Sequence, residues 1–227
     1  MKKIAFFTIA ALNMSHIAWA QEAQPTEKKE EQSVKPFSSL KFSIRPYIGL
    51  SNADLSSTNN VEGIKINTTS DKMGGFVVGS DFMVQTPMAS NWSMIGGLGV
   101  EYETISGTNL FLTIKNNTIF IAPKLGAQYQ FNPEWGIYAL AGYYYGASST
   151  TDGDIAGVNI SDDGSTNSKY GLDVGADYTF NSFFHLGFSL GYLGQDVNMK
   201  YKIIGIKEEK NASGSNIRTL LTSGFYF

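Results

Sequence analysis

Apolar and polar residues alternate through residues 41–50 so regularly that two faces can be read from the order alone. Phe42, Ile44, Pro46, Ile48 and Leu50 fall on one face; Ser43, Arg45, Tyr47 and Gly49 fall on the other. A repeat of two marks a β-strand whose faces meet different surroundings. The same grammar returns in Met73–Thr86, where Phe76, Val78, Phe82 and Val84 oppose Gly79, Asp81 and Gln85. In Trp92–Thr104, Trp92, Met94, Leu98, Val100 and Tyr102 oppose Ser93, Gly97, Gly99, Glu101 and Glu103. Thr118–Phe131 sets Ile119, Ile121, Leu125, Ala127, Tyr129 and Phe131 against Lys124, Gly126, Gln128 and Gln130. Trp135–Gly146, Lys169–Phe180, Phe183–Leu193 and Asn216–Phe227 complete the set, with Asp173, Asp177, His185 and Arg218 on their polar faces. Eight strands of about 10–14 residues are predicted, the length needed to cross a bilayer at a tilt.

The joints between these strands differ in kind. Residues 87–91, 132–134 and 181–182 make short turns, whereas about 51–72, 105–117, 147–168 and 194–215 make long connections. Short turns on one side and long loops on the other suit an up-and-down membrane barrel, and an even strand count returns both ends to the short-turn side. Alternation in 194–215 further suggests that this hairpin continues above the membrane.

Aromatic placement decides which face meets lipid. Phe42, Trp92, Tyr129, Phe131, Trp135, Tyr178, Phe180, Phe184 and Phe227 fall beside the short turns, and Tyr102, Tyr143, Tyr145, Tyr170 and Tyr192 fall near the long joints. Two girdles enclosing an apolar band are what membrane interfaces select. A secreted barrel with its apolar face inside is the competing arrangement.

The ends point the same way. Lys2 and Lys3, the apolar run 4–12 and Ala18-Trp19-Ala20 form a secretory signal over residues 1–20. Residues 21–39 are polar, mixed in charge and interrupted by Pro25 and Pro36, and read as a disordered periplasmic tail. The barrel is predicted from residue 40 to 227. Thr222-Ser223-Gly224-Phe225-Tyr226-Phe227 runs polar, any, glycine, aromatic, any, aromatic. It resembles the C-terminal signal of bacterial outer-membrane β-barrels, with Thr222, Gly224, Phe225 and Phe227 in the positions that the barrel assembly machinery reads.

Composition narrows the class. Charged residues are only 16%, 24 glycines and 13% aromatics suit crowded strands, and no cysteine supports a disulfide framework. A net charge of −3 removes the electrostatic case for nucleic acid. As a whole, residues 40–227 resemble the small eight-stranded outer-membrane barrels of the OmpA transmembrane-domain, OmpX/Ail and opacity families. That resemblance implies an all-β, eight-stranded antiparallel up-and-down transmembrane barrel with short periplasmic turns and four long extracellular loops, in the bacterial outer membrane. It implies surface adhesion, cell contact, envelope stability or a narrow pore. No peptidoglycan-binding domain follows the eighth strand, unlike full-length OmpA, so the anchoring role is not carried over.

Candidate chemistry lies in the lumen and the loops. Arg45, Lys124 and Arg218 face Asp81, Glu101, Glu103, Asp173 and Asp177 there, with His185 beside them. Counting from the periplasmic ends places Arg45 near Asp81 and Lys124 near Glu101 or Asp173. An eight-stranded interior is just wide enough for side chains to fill, and unpaired ions inside it cost several kcal/mol each, so a salt-bridged plug is expected. The alternative is a narrow channel for small solutes or ions, since inward Gly79, Gly97, Gly99, Gly126, Gly175, Gly187 and Gly191 leave room for water. Pro46 and Pro123, mid-strand, are expected to mark bulges.

An enzyme is disfavoured, whether lipid-modifying or proteolytic. His185 and Ser189 share a strand face but stand about 13 Å apart, and Glu101 and Glu103 about 7 Å apart, beyond reach of concerted proton transfer. His16, the other histidine, leaves with the signal. In 147–168, Asp152, Asp154, Gly157 and Asp163 have calcium-like spacing, yet Ala156 stands where an oxygen ligand belongs, and a solvated acidic hairpin is expected, with no metal and no cofactor. Lysines in 194–215 suit lipopolysaccharide phosphates. The expected partners are outer-membrane lipid and lipopolysaccharide, the assembly machinery, and a surface ligand met by loops 147–168 and 194–215. The barrel is expected to be a monomer.

Overall fold

A computed structural model describes residues 40–227 apart from 62, 63, 110, 111, 156, 157, 163, 182, 204 and 205. The signal (1–20) and the polar tail (21–39) lie outside the described residues. The described elements are strands alone: β1 (Lys41–Val61), β2 (Ile64–Pro87), β3 (Trp92–Asn109), β4 (Leu112–Gln130), β5 (Trp135–Ile155), β6 (Val158–Asp162), β7 (Thr166–Thr179), β8 (Phe184–Ile203) and β9 (Ile206–Tyr226). Each pairs antiparallel with its neighbours. β1 bonds both β2 and β9, and β4 bonds both β3 and β5, so the sheet closes on itself. β6 and β7 both lie between β5 and β8, so they are two lengths of one stave. The result is an eight-stave barrel without an edge.

The division of that stave has a local cause. Pairing of β5 with β7 ends at Tyr145 and Ser168, and pairing with β6 resumes at Gly153 and Ile160. Side chains bridge the interval. Asp162 Oδ1 accepts from the Thr151 and Ser165 amides (3.0 and 3.2 Å), and its Oδ2 accepts from Gly164 N (2.9 Å). Gly164 has φ +99°, the left-handed region that a side chain disfavours. Thr151 Oγ1 and Ser165 Oγ complete the bridge at 2.9 Å.

The expectation of four long loops needs correction. β1 and β2 have 21 and 24 residues, far beyond the about 9–11 needed to span a bilayer. Most of the stretches expected as loops are strand, with β1 meeting β2 at Val61 and Ile64, and β8 meeting β9 at Ile203 and Ile206. Physically, the outer face stops being apolar once it leaves lipid, so the contrast between faces fades although the pleat persists. Ser51, Ala53 and Leu55 are buried, while Asn52, Asp54 and Ser56 between them are exposed. Continuation of the 194–215 hairpin was legible; that of the other three was not.

The prolines also behave otherwise than expected. Pairing of β1 with β9 lapses at Arg45 and Pro46 but resumes in the same register, and β4 with β5 does likewise at Ala122 and Pro123. Proline withholds one donor toward one neighbour, and the ladder omits that bond without slipping. Register shifts occur instead at Leu55/Ser57 and Ile119/Phe120.

Outside, an apolar band is open to the surroundings: Ile48, Leu50, Leu98, Leu125 and Leu221 are each at least half exposed. Below it, rings meet in a nearly continuous belt, with Trp92 4.9 Å from Tyr129, Trp135 5.0 Å from Tyr178, and Phe184 5.3 Å from Phe225. The apolar face is thus outward and the ionic face inward, the reverse of a soluble barrel.

Candidate functional site: a filled lumen beneath extended hairpins

The inward positions build the interior in layers. Nearest the short turns, Arg45 pairs with Asp177, and Arg45 Nε donates to His185 Nε2 (3.2 Å). Next, Lys124 Nζ reaches both oxygens of Asp81 at 2.7 and 2.8 Å. Arg45 and Asp81 are register partners, yet each takes its counter-ion from elsewhere. Lys124 likewise lies near Asp173, as expected, lining one small cavity with it, but its ion pair is with Asp81. Strand parity fixes the face of a side chain but not its partner across the lumen, which the tilt of the staves decides.

The centre is occupied by Arg218. Its Nε and Nη2 bind Asp173 at 2.9 and 2.5 Å, its Nη1 binds Glu101 at 2.5 Å, and Nη2 donates to the Tyr144 hydroxyl. Lys169 Nζ bridges Glu101 (2.7 Å) and Glu103 (3.0 Å). Sequence reading missed Lys169 because it is the first residue of its expected strand, although its parity with Asp173 and Asp177 points it inward. Rings close the remaining space: Arg45 lies 4.6 Å over Tyr138, Arg218 4.6 Å over Tyr144, and Lys169 4.2 Å over Phe120.

Glycines opposite the carboxylates make the network possible. Gly99, Gly187 and Gly191 are the register partners of Asp81, Asp177 and Asp173. A Cβ on them would stand 2.3, 2.1 and 2.3 Å from the Oδ1 of those residues. Tyr47 and Tyr138 similarly occupy the space over Gly79 and Gly175. At these five glycines the room suggested for water is therefore taken by neighbouring side chains. Between Arg45, Tyr47, Asp81, Lys124 and Tyr138 a cavity of about 20 Å³ remains, roughly the space of one water.

Above the ions lies an amide layer that sequence reading missed, because these residues fall at or beyond the ends of the expected strands. Asn216 Nδ2 donates to Gln195 Oε1 (2.7 Å), Gln195 Nε2 to Asn167 Oδ1 (3.2 Å), and Asn167 Nδ2 to Asn116 Oδ1 (3.2 Å). An apolar layer caps it: Ala53, Leu55, Met73, Ile105, Ile114, Val197, Met199 and Ala212 pack together, all buried. Any ion path would have to cross both.

The other expected residues are placed as follows. Phe227 exchanges backbone hydrogen bonds with Phe42 (3.0 and 3.3 Å), tying the last stave to the first. Thr222 and Gly224 face the lumen, and Phe225 faces outward. Phe42, Trp92, Tyr129, Trp135 and Tyr178 lie in the lower belt, and Tyr143 and Tyr192 lie higher on the outer wall. Of the calcium-like set, Gly157 and Asp163 lie outside the described residues, and Asp152 and Asp154 lie in β5. Burial would raise the Asp162 carboxyl, but hydrogen bonds from Ser165, Gly164 and Thr151 hold it below the usual aspartate value. That carboxylate serves the turn. Among the described residues no group of three or more acidic, histidine or cysteine side chains could hold a metal ion.

A family model described as "Outer membrane protein beta-barrel domain" matches residues 33–220. No curated protein matches the chain in sequence. Among solved structures, the outer membrane protein OprG from Pseudomonas aeruginosa aligns with 18% identity and a TM-score of 0.51, covering 82% of this chain and 95% of that one. The outer membrane protease OmpT from Escherichia coli aligns with 9% identity and a TM-score of 0.47, over 87% of this chain and 99% of that one. Ail, the attachment invasion locus protein of Yersinia pestis, gives 11% and 0.36, over 82% and 98%.

Proposed function

This chain belongs to the outer membrane protein β-barrel domain family, and on that premise we propose a non-enzymatic surface barrel that works through its extended hairpins rather than through its lumen. It resides in the outer membrane. The observation that carries the proposal is the filled interior: ions, amides and an apolar cap stacked beneath strands that rise far above the bilayer. A conducting path would need continuous polar space, and the cavity beside Lys124 is about 20 Å³.

Catalysis is disfavoured by position. His185 is engaged by Arg45 inside the barrel, and Asp81, Glu101 and Asp173 are each bound to a cation there. A general base needs its reacting proton within hydrogen-bond reach, and the sealed interior offers a substrate no approach. Lipid and lipopolysaccharide around the wall, the assembly machinery during insertion, and a monomeric barrel complete the reading.

The test is to trim the hairpins across residues 153–160 and 201–208 and measure attachment of expressing cells to a cell layer. The trimmed protein is expected to remain a heat-modifiable barrel and to lose the attachment that the full chain confers, because exposed hairpins lie outside the bilayer ladder. Equal attachment by both forms contradicts the proposal.

A further inference from the structure

The outer wall carries a groove of about 550 Å³, inside the roughly 300–1,000 Å³ range of small-ligand sites. Its floor is a transverse row of register partners. Tyr145 stands opposite Ser168, Ser168 opposite Asp196, Asp196 opposite Ser213, and Ser213 opposite Ser56. A second row, one step nearer the tips, runs Thr166, Asn198, Asn211. All of these are outward positions, so the groove lies on the wall and not in the lumen.

We propose that this groove binds a neutral saccharide held against the barrel just above the bilayer. Tyr143 and Tyr145, two residues apart on one face, are 50% and 61% exposed and offer adjacent rings for the C–H face of a pyranose. The floor offers hydroxyls and amides that both donate and accept, the inventory that matches a polyol. Asn198 Nδ2 donates to Asn211 Oδ1 (2.7 Å) and Glu209 Oε1 (2.6 Å), which fixes that amide pair in place. Neither lysine nor arginine lines the groove and Asp196 does, so phosphate and sulfate are disfavoured. Val197 and Ala212 also line the groove, but an acyl chain there would leave the hydroxyls and amides of both rows unpaired. Height agrees: Tyr143 is the register partner of Tyr170 in the upper aromatic girdle, and the two polar rows rise from that level toward the tips. Sugars of the outer leaflet's glycolipid and sugars of a foreign surface both reach this height, and they share the chemistry.

The inference rests on the surface-contact reading and adds a ligand class to it; its failure would leave the closed lumen untouched. Full-length mature protein in nanodiscs free of lipopolysaccharide is titrated with dephosphorylated lipopolysaccharide core oligosaccharide, and separately with the neutral host-type glycan lacto-N-tetraose, by calorimetry and saturation-transfer NMR. At least one is expected to bind, with Tyr145→Ala and Ser213→Trp each weakening it tenfold or more while heat-modifiability is kept. Preference for the core sugar assigns the cell's own leaflet as the source; preference for the tetraose assigns a foreign glycan. Should Tyr145→Ala fail to fold, Ser213→Trp alone decides. Binding of neither sugar, or binding that folded variants leave unchanged, overturns the proposal.

Discussion

Arg218 grips both carboxylate oxygens of Asp173, through Nε at 2.9 Å and Nη2 at 2.5 Å, at the centre of the barrel. A bidentate pair in dry surroundings is directional as well as strong, and here the same guanidinium also holds Glu101. The two carboxylates depend on it differently, since Glu101 keeps the Lys169 ion pair while Asp173 keeps the Tyr144 hydroxyl.

Replacing Arg218 by Met should therefore strand Asp173. The expected loss is about 3–5 kcal/mol, the range for removing one partner of a buried pair. Adding Asp173→Leu should recover part of it, because the orphaned charge is then gone. Urea unfolding in lipid vesicles, followed by tryptophan fluorescence, reads both. A loss below about 1 kcal/mol for the single variant would mean that water reaches this layer.

Gly224 and His185 give a second test. A Cβ on Gly224 would stand 2.0 Å from His185 Cε1, a collision that the imidazole must vacate. Gly224→Ala should lower the yield of folded barrel, with His185→Ala restoring it. Deleting Phe227 should lower insertion by another route, since its backbone bonds to Phe42 tie the closing staves together. Pulse-chase assembly in cells, with export of the chain as control, measures all three. Failure of His185→Ala to restore Gly224→Ala would assign the glycine to recognition by the assembly machinery instead of to packing.

The extracellular seam should respond to acid. Asp162 is held below the usual aspartate value by the amides that it caps, so its contribution is present above the unfolded value and lost as pH falls through the lower folded one. Exchange of the Thr151, Gly164 and Ser165 amides, corrected for intrinsic rate, should stay slow at pH 5 and rise only below about pH 4. Asp162→Ala should raise it at pH 7 by roughly tenfold. Unchanged exchange in the variant would show that Thr151 and Ser165 hold the seam alone.

What could be read from sequence follows the contrast between faces. In Lys41–Leu50 that contrast is maximal, and every expected inward side chain there faces inward. Beyond Leu50 the outward face turns polar with Asn52, Asp54 and Ser56 while the inward one carries Ala53 and Leu55, so the apolar-out pattern is lost and the hairpin rising to Val61 looked like a loop. Parity placed Arg45, Lys124 and Arg218 in the lumen, but partners across it depend on stave tilt, which no single strand encodes. Asn116, Asn167 and Gln195 were invisible for the same reason as the hairpins: they lie in the strand extensions above the lipid-facing staves. The outer groove was illegible altogether, being made by register between strands far apart in sequence.

Single-channel recording reads whether the lumen is closed. Purified full-length barrel in a planar bilayer should show no steady conductance, and a folded Arg218→Met barrel should stay closed too, because the amide layer and the apolar cap above it are left in place. Steady conductance by the unmodified protein, with ion selectivity that shifts when Asp81 or Lys124 is neutralised, would contradict the account and establish a narrow pore.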